Sequence, residues 1–161
     1  HEASLNEAEK VCDRMWAAAR MHLVATNASP RLMPFATSFA FYVDMRMATT
    51  ASRDWLTPYE QIRGVQPSID HIRPFYTAAA VHVPKSKRHA MKKAGKPMLR
   101  AEPGRLVGFQ DIYSKTYAVM LDSGQLVHSI NVTFDTDDTS SSQIPAADLS
   151  CIIKLLLLSY F

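Results

Sequence analysis

The sequence has little cysteine and no pattern that would bind a structural metal. Its two cysteines, Cys12 and Cys151, lie far apart and outside any C-x-x-C or Cys/His cluster. That spacing argues against a zinc knuckle. A disulfide between them is conceivable, but a reducing compartment is the better expectation for a chain with so few cysteines. Both thiols are predicted to be inert.

Long hydrophobic runs are missing as well. The most apolar segment, CIIKLLLLSYF (151–161), is shorter than the ~20 residues that span a bilayer and is interrupted by Lys154. We therefore expect no membrane partner. The chain begins with His1 and shows no basic-then-apolar leader, which is typical of a fragment or a processed piece.

Acidic residues are scarce in one segment of the chain, from Pro84 to Arg105. This segment has eight basic residues and one acidic residue, Glu102, and therefore a local charge of +7. Because the whole chain has a formal charge of +3, the remaining residues sum to −4. Such a contrast predicts a segment that faces a polyanion, and a surface loop that is charged only for solubility is the alternative.

Helical periodicity is confined to the first part of the chain. Apolar residues recur at three- and four-residue spacing over 7–26 and 31–48, which predicts two amphipathic helices, the first with Asn6 as its N-cap. The apolar faces are Cys12, Met15, Trp16, Ala19 and Leu23, and then Leu32, Phe35, Ala36, Phe39, Ala40, Val43 and Met47. LTPYEQIRG (56–64) predicts a short third helix with a capping box. Its cap, first-turn proline, capping-box partner and stop are Thr57, Pro58, Glu60 and Gly64.

Short runs rich in valine, leucine, tyrosine and phenylalanine follow these helices. They are TAAAVHV (77–83), RLVGF (105–109), KTYAVML (115–121) and QLVHSINVTF (125–134). The last two are joined by DSGQ, which is a strong hairpin signal. The pattern predicts an all-β unit of about 60 residues, compact enough to be a barrel. The expected fold class is therefore α+β.

Six segments of the chain contain uncommon short sequence motifs, which follow one another in the order of a known family pattern. The first two are EKVCDRMWAAARMHL (9–23) and MPFATSFAFYVDMR (33–46). The other four are LTPYEQIRGVQPSIDHIRPF (56–75), AAVHVPKSKR (79–88), GRLVGFQDIYSKTYAVM (104–120) and LVHSINVTFD (126–135). Together they resemble the integrase region of the Pol polyprotein of copia-type LTR retrotransposons. Three places depart from that pattern: LNEAE lacks a glycine before the glutamate, Met33 replaces an aromatic residue, and Phe75-Tyr76 replaces Phe-Gly.

The resemblance implies a division of the chain into three parts. Residues 1–64 would be the incomplete helical end of a ribonuclease-H-like integrase catalytic core. Residues 75–137 would form a small SH3-like β-barrel. Residues 138–161 would be an acidic, serine-rich linker followed by the apolar tail.

The same resemblance assigns Glu9 to the position of a catalytic metal ligand. Enzymes of this kind are similar to ribonuclease-H-like transferases, in which two Asp and one Glu hold two Mg²⁺ or Mn²⁺ ions during phosphodiester transfer. Both Asp residues would precede His1 and are absent from the sequence. One carboxylate cannot assemble a two-metal site, so we expect no cofactor in this fragment and no strand transfer by it alone. The alternative for Glu9 is an acidic first-turn residue that the helix dipole favours.

DNA is the partner that the basic segment and the resemblance both predict. The residues expected to contact phosphates are Lys85, Lys87, Arg88, Lys92, Lys93, Lys96, Arg100 and Arg105. Lys10 and Arg14, one turn apart on the first helix, are further candidates, and a solvated helix face is their alternative. Aromatic residues are nearly absent from the basic segment, which favours duplex backbone contact over base stacking. By resemblance, the parent protein would be found in a cytoplasmic particle and in the nucleus.

Two other functions remain open from the sequence. The barrel could dock a peptide or another integrase subunit, with KSKRHAMKK (85–93) serving solubility or nuclear import. Alternatively the chain is a decayed pseudogene product. Its helices would then expose a stripe for self-association or aggregation, formed by Leu32, Phe35, Phe39 and Val43.

Overall fold

The structure, a computed structural model, describes residues 2–48, 55–95, 97 and 99–135. In chain order the elements are α1 (Glu2–Ala25), a 3-10 turn (Pro30–Leu32), α2 (Met33–Asp44), α3 (Pro58–Arg63), β1 (Ala78–His82), α4 (Lys85–Lys93), β2 (Ala101–Phe109), β3 (Tyr117–Leu121), β4 (Leu126–Ser129) and β5 (Val132–Phe134). The combination of helices with one antiparallel sheet confirms the α+β class. None of the described helices is both long and apolar enough to cross a membrane. The predicted linker and tail (138–161) lie outside the described residues.

Helix α1 begins earlier than the periodicity predicted. It starts at Glu2, so Asn6, expected as the N-cap, lies inside the helix. The helix ends just before Asn27, whose φ of 49° is the left-handed conformation that commonly terminates helices. At this end Ala28 N donates a hydrogen bond to Leu23 O at 2.9 Å.

The buried face of α1 is narrower than predicted. Met15, Ala19 and Leu23 are buried against the rest of the fold. Cys12 is exposed, and Trp16 is 60% exposed. Cys12 and Trp16 therefore share the spacing of the predicted apolar face without being covered, because the rest of the fold covers only part of that face.

Helix α2 is shorter than the predicted 31–48, and its apolar face is covered by the sheet. Ala36, Phe39 and Ala40 are buried, whereas Met47 is half exposed and lies beyond the end of the helix. The stripe predicted to be exposed for association packs in the core, with Phe39 buried and Leu32, Phe35 and Val43 packed around it. That prediction of an association surface is wrong, because the helix lies on strand β2 instead of in solvent.

Helix α3 forms as the sequence predicts. Thr57 Oγ1 accepts a hydrogen bond from Glu60 N at 3.1 Å, and the Glu60 carboxylate accepts one from Thr57 N at 2.9 Å. Pro58 occupies the first turn, and Gly64 ends the helix with a φ of 68°. The capping box is thus complete, because every group it needs lies within a few residues of the others.

The five strands form one antiparallel sheet in the order β4-β3-β2-β1-β5. The β3–β4 hairpin is confirmed, with Tyr117 opposite Ser129 and Met120 opposite Leu126. The predicted strand 125–134 is divided in two. Ser129 Oγ accepts a hydrogen bond from Asn131 N at 3.1 Å in the turn between the halves. The second half, β5, therefore pairs with β1 on the far side of the sheet.

Helices and sheet share one hydrophobic core. Its fully buried members come from α1, α2, β2, β3 and the segment before β1: Ala19, Leu23, Ala36, Phe39, Phe75, Leu106, Val107 and Ala118. A second, smaller cluster lies on β1 and β3, formed by Ala79, Val81, Val119 and Leu121. The sheet consequently fixes the position of α2, and α1 is fixed through α2.

Candidate nucleic-acid interface

The basic segment 85–93 is a helix and not the loop that its charge suggested. Helix α4 begins directly after Pro84, and its first turn closes with Arg88 N donating to Pro84 O at 3.1 Å. Lysine and arginine are good helix formers, and the segment contains no glycine. A helix holds its side chains in fixed directions, so the charges of α4 are sorted by face.

Most cations of α4 face solvent. Lys85, Arg88 and Lys92 are spaced by three and four residues and therefore share one face of the helix. Lys85, Lys92 and Lys93 are exposed, and Arg88 is half-buried. This face is the part of the described chain where exposed positive charge is most concentrated.

Lys87 points the other way, toward the sheet. Its Nζ lies 3.0 Å and 3.3 Å from the two carboxylate oxygens of Glu102 on β2. The Lys87 side chain remains 51% exposed, so this is a surface ion pair that partly offsets its charge. That Lys87 contacts DNA stays a prediction, with Glu102 as a competing partner for its charge.

Arg100 joins the exposed cations of α4, and Arg105 does not. Val83 N donates to Arg100 O at 3.0 Å, which places the exposed Arg100 beside the start of α4. Arg105 lies at the opposite end of β1, paired with Ala78. Its guanidinium is half-buried over the ring of Tyr76, at 5.3 Å from the ring centroid. Lys96, the remaining predicted contact, lies outside the described residues.

A shallow cleft of about 350 Å³ opens beside α4. It lies between the helix and the ends of β1 and β4, and its polar walls include His82, Lys87, His128 and Asn131. Both histidines are exposed on strands. The described residues contain no group of three His, Cys, Asp or Glu side chains that could hold a metal ion.

The other three predicted site residues, Glu9, Lys10 and Arg14, lie on α1 and not on α4. Glu9 and Lys10 are exposed on α1. Arg14 is half-buried, and its NH2 group donates to Asp44 Oδ2 of α2 at 3.0 Å. This ion pair connects α1 to α2. Because its charge is already paired, Arg14 is a poor phosphate ligand. A two-metal site needs further carboxylates beside Glu9, and the described residues contain no such group. The side chains around Glu9 therefore do not fit that site.

A buried polar network beneath the helices was not predicted from the sequence. Tyr42 Oη donates to Ser114 O at 2.9 Å and lies 2.6 Å from His71 Nε2. Because the hydroxyl proton is used on Ser114, Nε2 of His71 must donate to Tyr42. Burial raises the pKa of Tyr42 to about 12. Burial lowers the pKa of His71, and the positive charges of Lys115 and Arg46 lower it further.

Arg46 connects this network to the chain between β2 and β3. Its guanidinium stacks on the ring of Tyr42 at 3.5 Å and donates to Tyr42 O at 3.0 Å and Ile112 O at 2.7 Å. Only 7% of Arg46 is exposed, and burial lowers its pKa. Arg46 and Ile112 are 66 residues apart in sequence, and Tyr42 and Ser114 are 72 apart. No local sequence pattern could therefore reveal these hydrogen bonds. The network therefore fixes the position of α2 relative to the segment that connects β2 and β3.

Comparisons with protein-family models, with curated proteins and with solved structures gave no match to this chain.

Proposed function

We propose that this chain is part of a copia-type integrase and binds double-stranded DNA without sequence preference. The observation that carries the proposal is the exposed positive face of α4 together with Arg100. Its side chains would neutralise phosphates and release counterions, which gives affinity that depends on salt and not on sequence. In the parent polyprotein this binding would serve DNA integration, in a cytoplasmic particle and in the nucleus.

The conformation of Tyr76 supports the resemblance. Its φ is 65°, a left-handed conformation that costs an ordinary residue roughly 1–2 kcal/mol and costs glycine little. Tyr76 occupies the position where the copia-type pattern has the glycine of its Phe-Gly pair. A chain descended from that pattern would retain the backbone turn after losing the glycine.

The strand order supports an SH3-like barrel as the fold of the second half. Strand β5 returns to pair with β1, with Ala79 opposite Phe134 and Val81 opposite Val132. Strands β4 and β5 lie at the two edges of the sheet, but only Ile130 and Asn131 separate them in sequence. So short a connection requires the two edges to approach each other, as they do in a small barrel. The ribonuclease-H-like origin of α1 and α2 rests on the resemblance alone.

The experiment that tests the proposal is duplex binding by variants of α4. Fluorescence anisotropy with a random-sequence duplex should show weaker binding by K85A/K92A than by the unmodified chain. The matched control is K87A/E102A, which removes the ion pair of Lys87 and Glu102 at constant net charge and should bind as the unmodified chain does. Equal loss in both variants would mean that the face of α4 does not determine binding.

A second candidate function, protein interaction, is favoured by one observation. A groove of about 750 Å³ lies between α1, α2 and the chain after β2, and its walls are mainly apolar. In this reading the basic helix serves solubility or nuclear import. Changing Lys85, Lys87, Arg88, Lys92 and Lys93 to Ala separates the two functions. Loss of DNA binding with intact association favours the first, and loss of association with intact DNA binding favours the second.

A further inference from the structure

A stripe of exposed side chains runs along α1, and none of the described residues covers it. Glu9, Asp13, Trp16 and Arg20 follow one another at spacings of four, three and four residues, so they share one face of the helix. All four are exposed, and Trp16 is 60% exposed at the centre of the stripe. A large aromatic residue so exposed, flanked by charges, is typical of an interaction surface.

The stripe borders the apolar groove described above. Trp16 lines both, and the groove continues through Val11, Met15, Met33, Phe41 and Ile112. The first turns of α1 extend beyond its buried part, since Ala8, Val11 and Cys12 are exposed. An isolated helical extension gains little stability in water, so α1 has both the apolar surface and the free length to pair with another helix.

The charges on the stripe are self-complementary. Its N-terminal half is acidic, with Glu9 and Asp13, and its C-terminal half is basic, with Arg20. Two copies of α1 placed antiparallel bring the acidic half of each opposite the basic half of the other, whereas a parallel arrangement sets like charges together. A two-fold axis produces this antiparallel arrangement and makes both contacts at once.

We propose that α1 pairs antiparallel with α1 of a second copy of this chain. When the two-fold axis lies level with the peptide between Arg14 and Met15, Arg20 faces Glu9 of the partner subunit. Side chains on a helix lean toward its N-terminus, so both Trp16 rings lean toward the axis and cover each other. The apolar contact supplies the affinity, and the charges fix the direction of pairing.

This proposal is independent of DNA binding. The stripe lies on α1 and the proposed DNA-contacting face lies on α4, so either can fail while the other holds. It also differs from the association surface predicted from the sequence on α2, which is buried in the core.

Analytical ultracentrifugation of the full chain at micromolar concentrations tests the pairing through charge reversal. R20E makes the stripe entirely acidic, and E9R/D13R makes it entirely basic. Each variant alone should be monomeric, with a dimer dissociation constant raised about tenfold or more, because both symmetric contacts become repulsive. An equimolar mixture of the two should restore a dimer, because every contact in the mixed pair is attractive.

Two controls keep the test decisive. R31E makes the same charge change at an exposed position off the stripe and should dimerise as the unmodified chain does. E9R/D13R/R20E restores complementarity within one chain and should dimerise even if a variant with one charge set fails to fold.

Three results would overturn the proposal. They are a monomeric unmodified chain, a mixture that stays monomeric although both variants are folded by circular dichroism, and equal weakening by R31E. In the first case, shielding of Trp16 from an added quencher would show that another part of the same chain covers the groove.

Discussion

Replacing Arg46 with Met should destabilise the fold by about 3 kcal/mol. The guanidinium makes two hydrogen bonds, to Tyr42 O at 3.0 Å and Ile112 O at 2.7 Å, and it stacks on the ring of Tyr42 at 3.5 Å. Hydrogen bonds from a charged donor contribute roughly 1.5–3 kcal/mol each, and a desolvated stacking contact about 2 kcal/mol. The cost of burying the charge, visible in the lowered pKa of Arg46, offsets part of this sum.

Thermal and urea unfolding measure this effect against a matched control. Arg63 also stacks on a tyrosine, with its guanidinium 4.9 Å from the ring centroid of Tyr113, but it is exposed. R63M should therefore cost less than about 1 kcal/mol. For a chain of this length about 3 kcal/mol lowers the Tm by roughly 6–12 °C. If R46M were as stable as R63M, the network around Arg46 would not hold the helices to the sheet.

Three further predictions concern the backbone and the histidines. Gly104→Ala should cost about 1–3 kcal/mol in urea unfolding, because the new Cβ would lie 2.5 Å from Met120 O across the strand pair, and an unchanged midpoint would contradict that close approach. Tyr76→Gly should be about 1 kcal/mol more stable than Tyr76→Ala, the reverse of the usual order, because φ at this position is 65°; the usual order would refute the left-handed conformation. Burial lowers the pKa of His22 and of His71 in the folded chain, so the unfolded chain binds more protons below its pKa of about 6.5. The stability that these two histidines contribute is therefore complete above about pH 6.5 and is lost as the pH falls through their pKa values in the folded chain. The Tm should be lower at about pH 5 than at about pH 7.5. This decrease should be smaller when both histidines are changed to Gln.

Local structure was predictable where all the determining residues lie close together in the sequence. The capping box of Thr57 and Glu60 and the β3–β4 hairpin formed as expected, because each is specified within a few residues. The basic segment 85–93 is a helix although its charge indicated a surface loop, because its lysine, arginine and alanine residues favour a helix. Spacing placed Trp16 on the apolar face of its helix, but spacing cannot tell whether another element covers that face, and Trp16 is 60% exposed.

The long-range parts of the site could not be read from the sequence. Lys87 and Glu102 are 15 residues apart, and their pairing depends on how α4 folds back on β2. Tyr42 and His71 are 29 residues apart and meet only because α2 packs on the sheet. In both cases the sequence identifies the residue types, and tertiary packing decides which of them remain exposed to a ligand.

The most direct test of the central claim is the salt dependence of duplex binding, measured by fluorescence anisotropy. Helix α4 and Arg100 provide five cations without an acidic partner among the described residues, Lys85, Arg88, Lys92, Lys93 and Arg100, while Glu102 partly offsets the charge of Lys87. If all five contact phosphates, the logarithm of the affinity should fall with the logarithm of salt concentration at a slope of about −4.5. Between about 50 and 200 mM salt the affinity should therefore decrease roughly 500-fold. No binding at low salt, or binding that is the same across the series, would contradict the account.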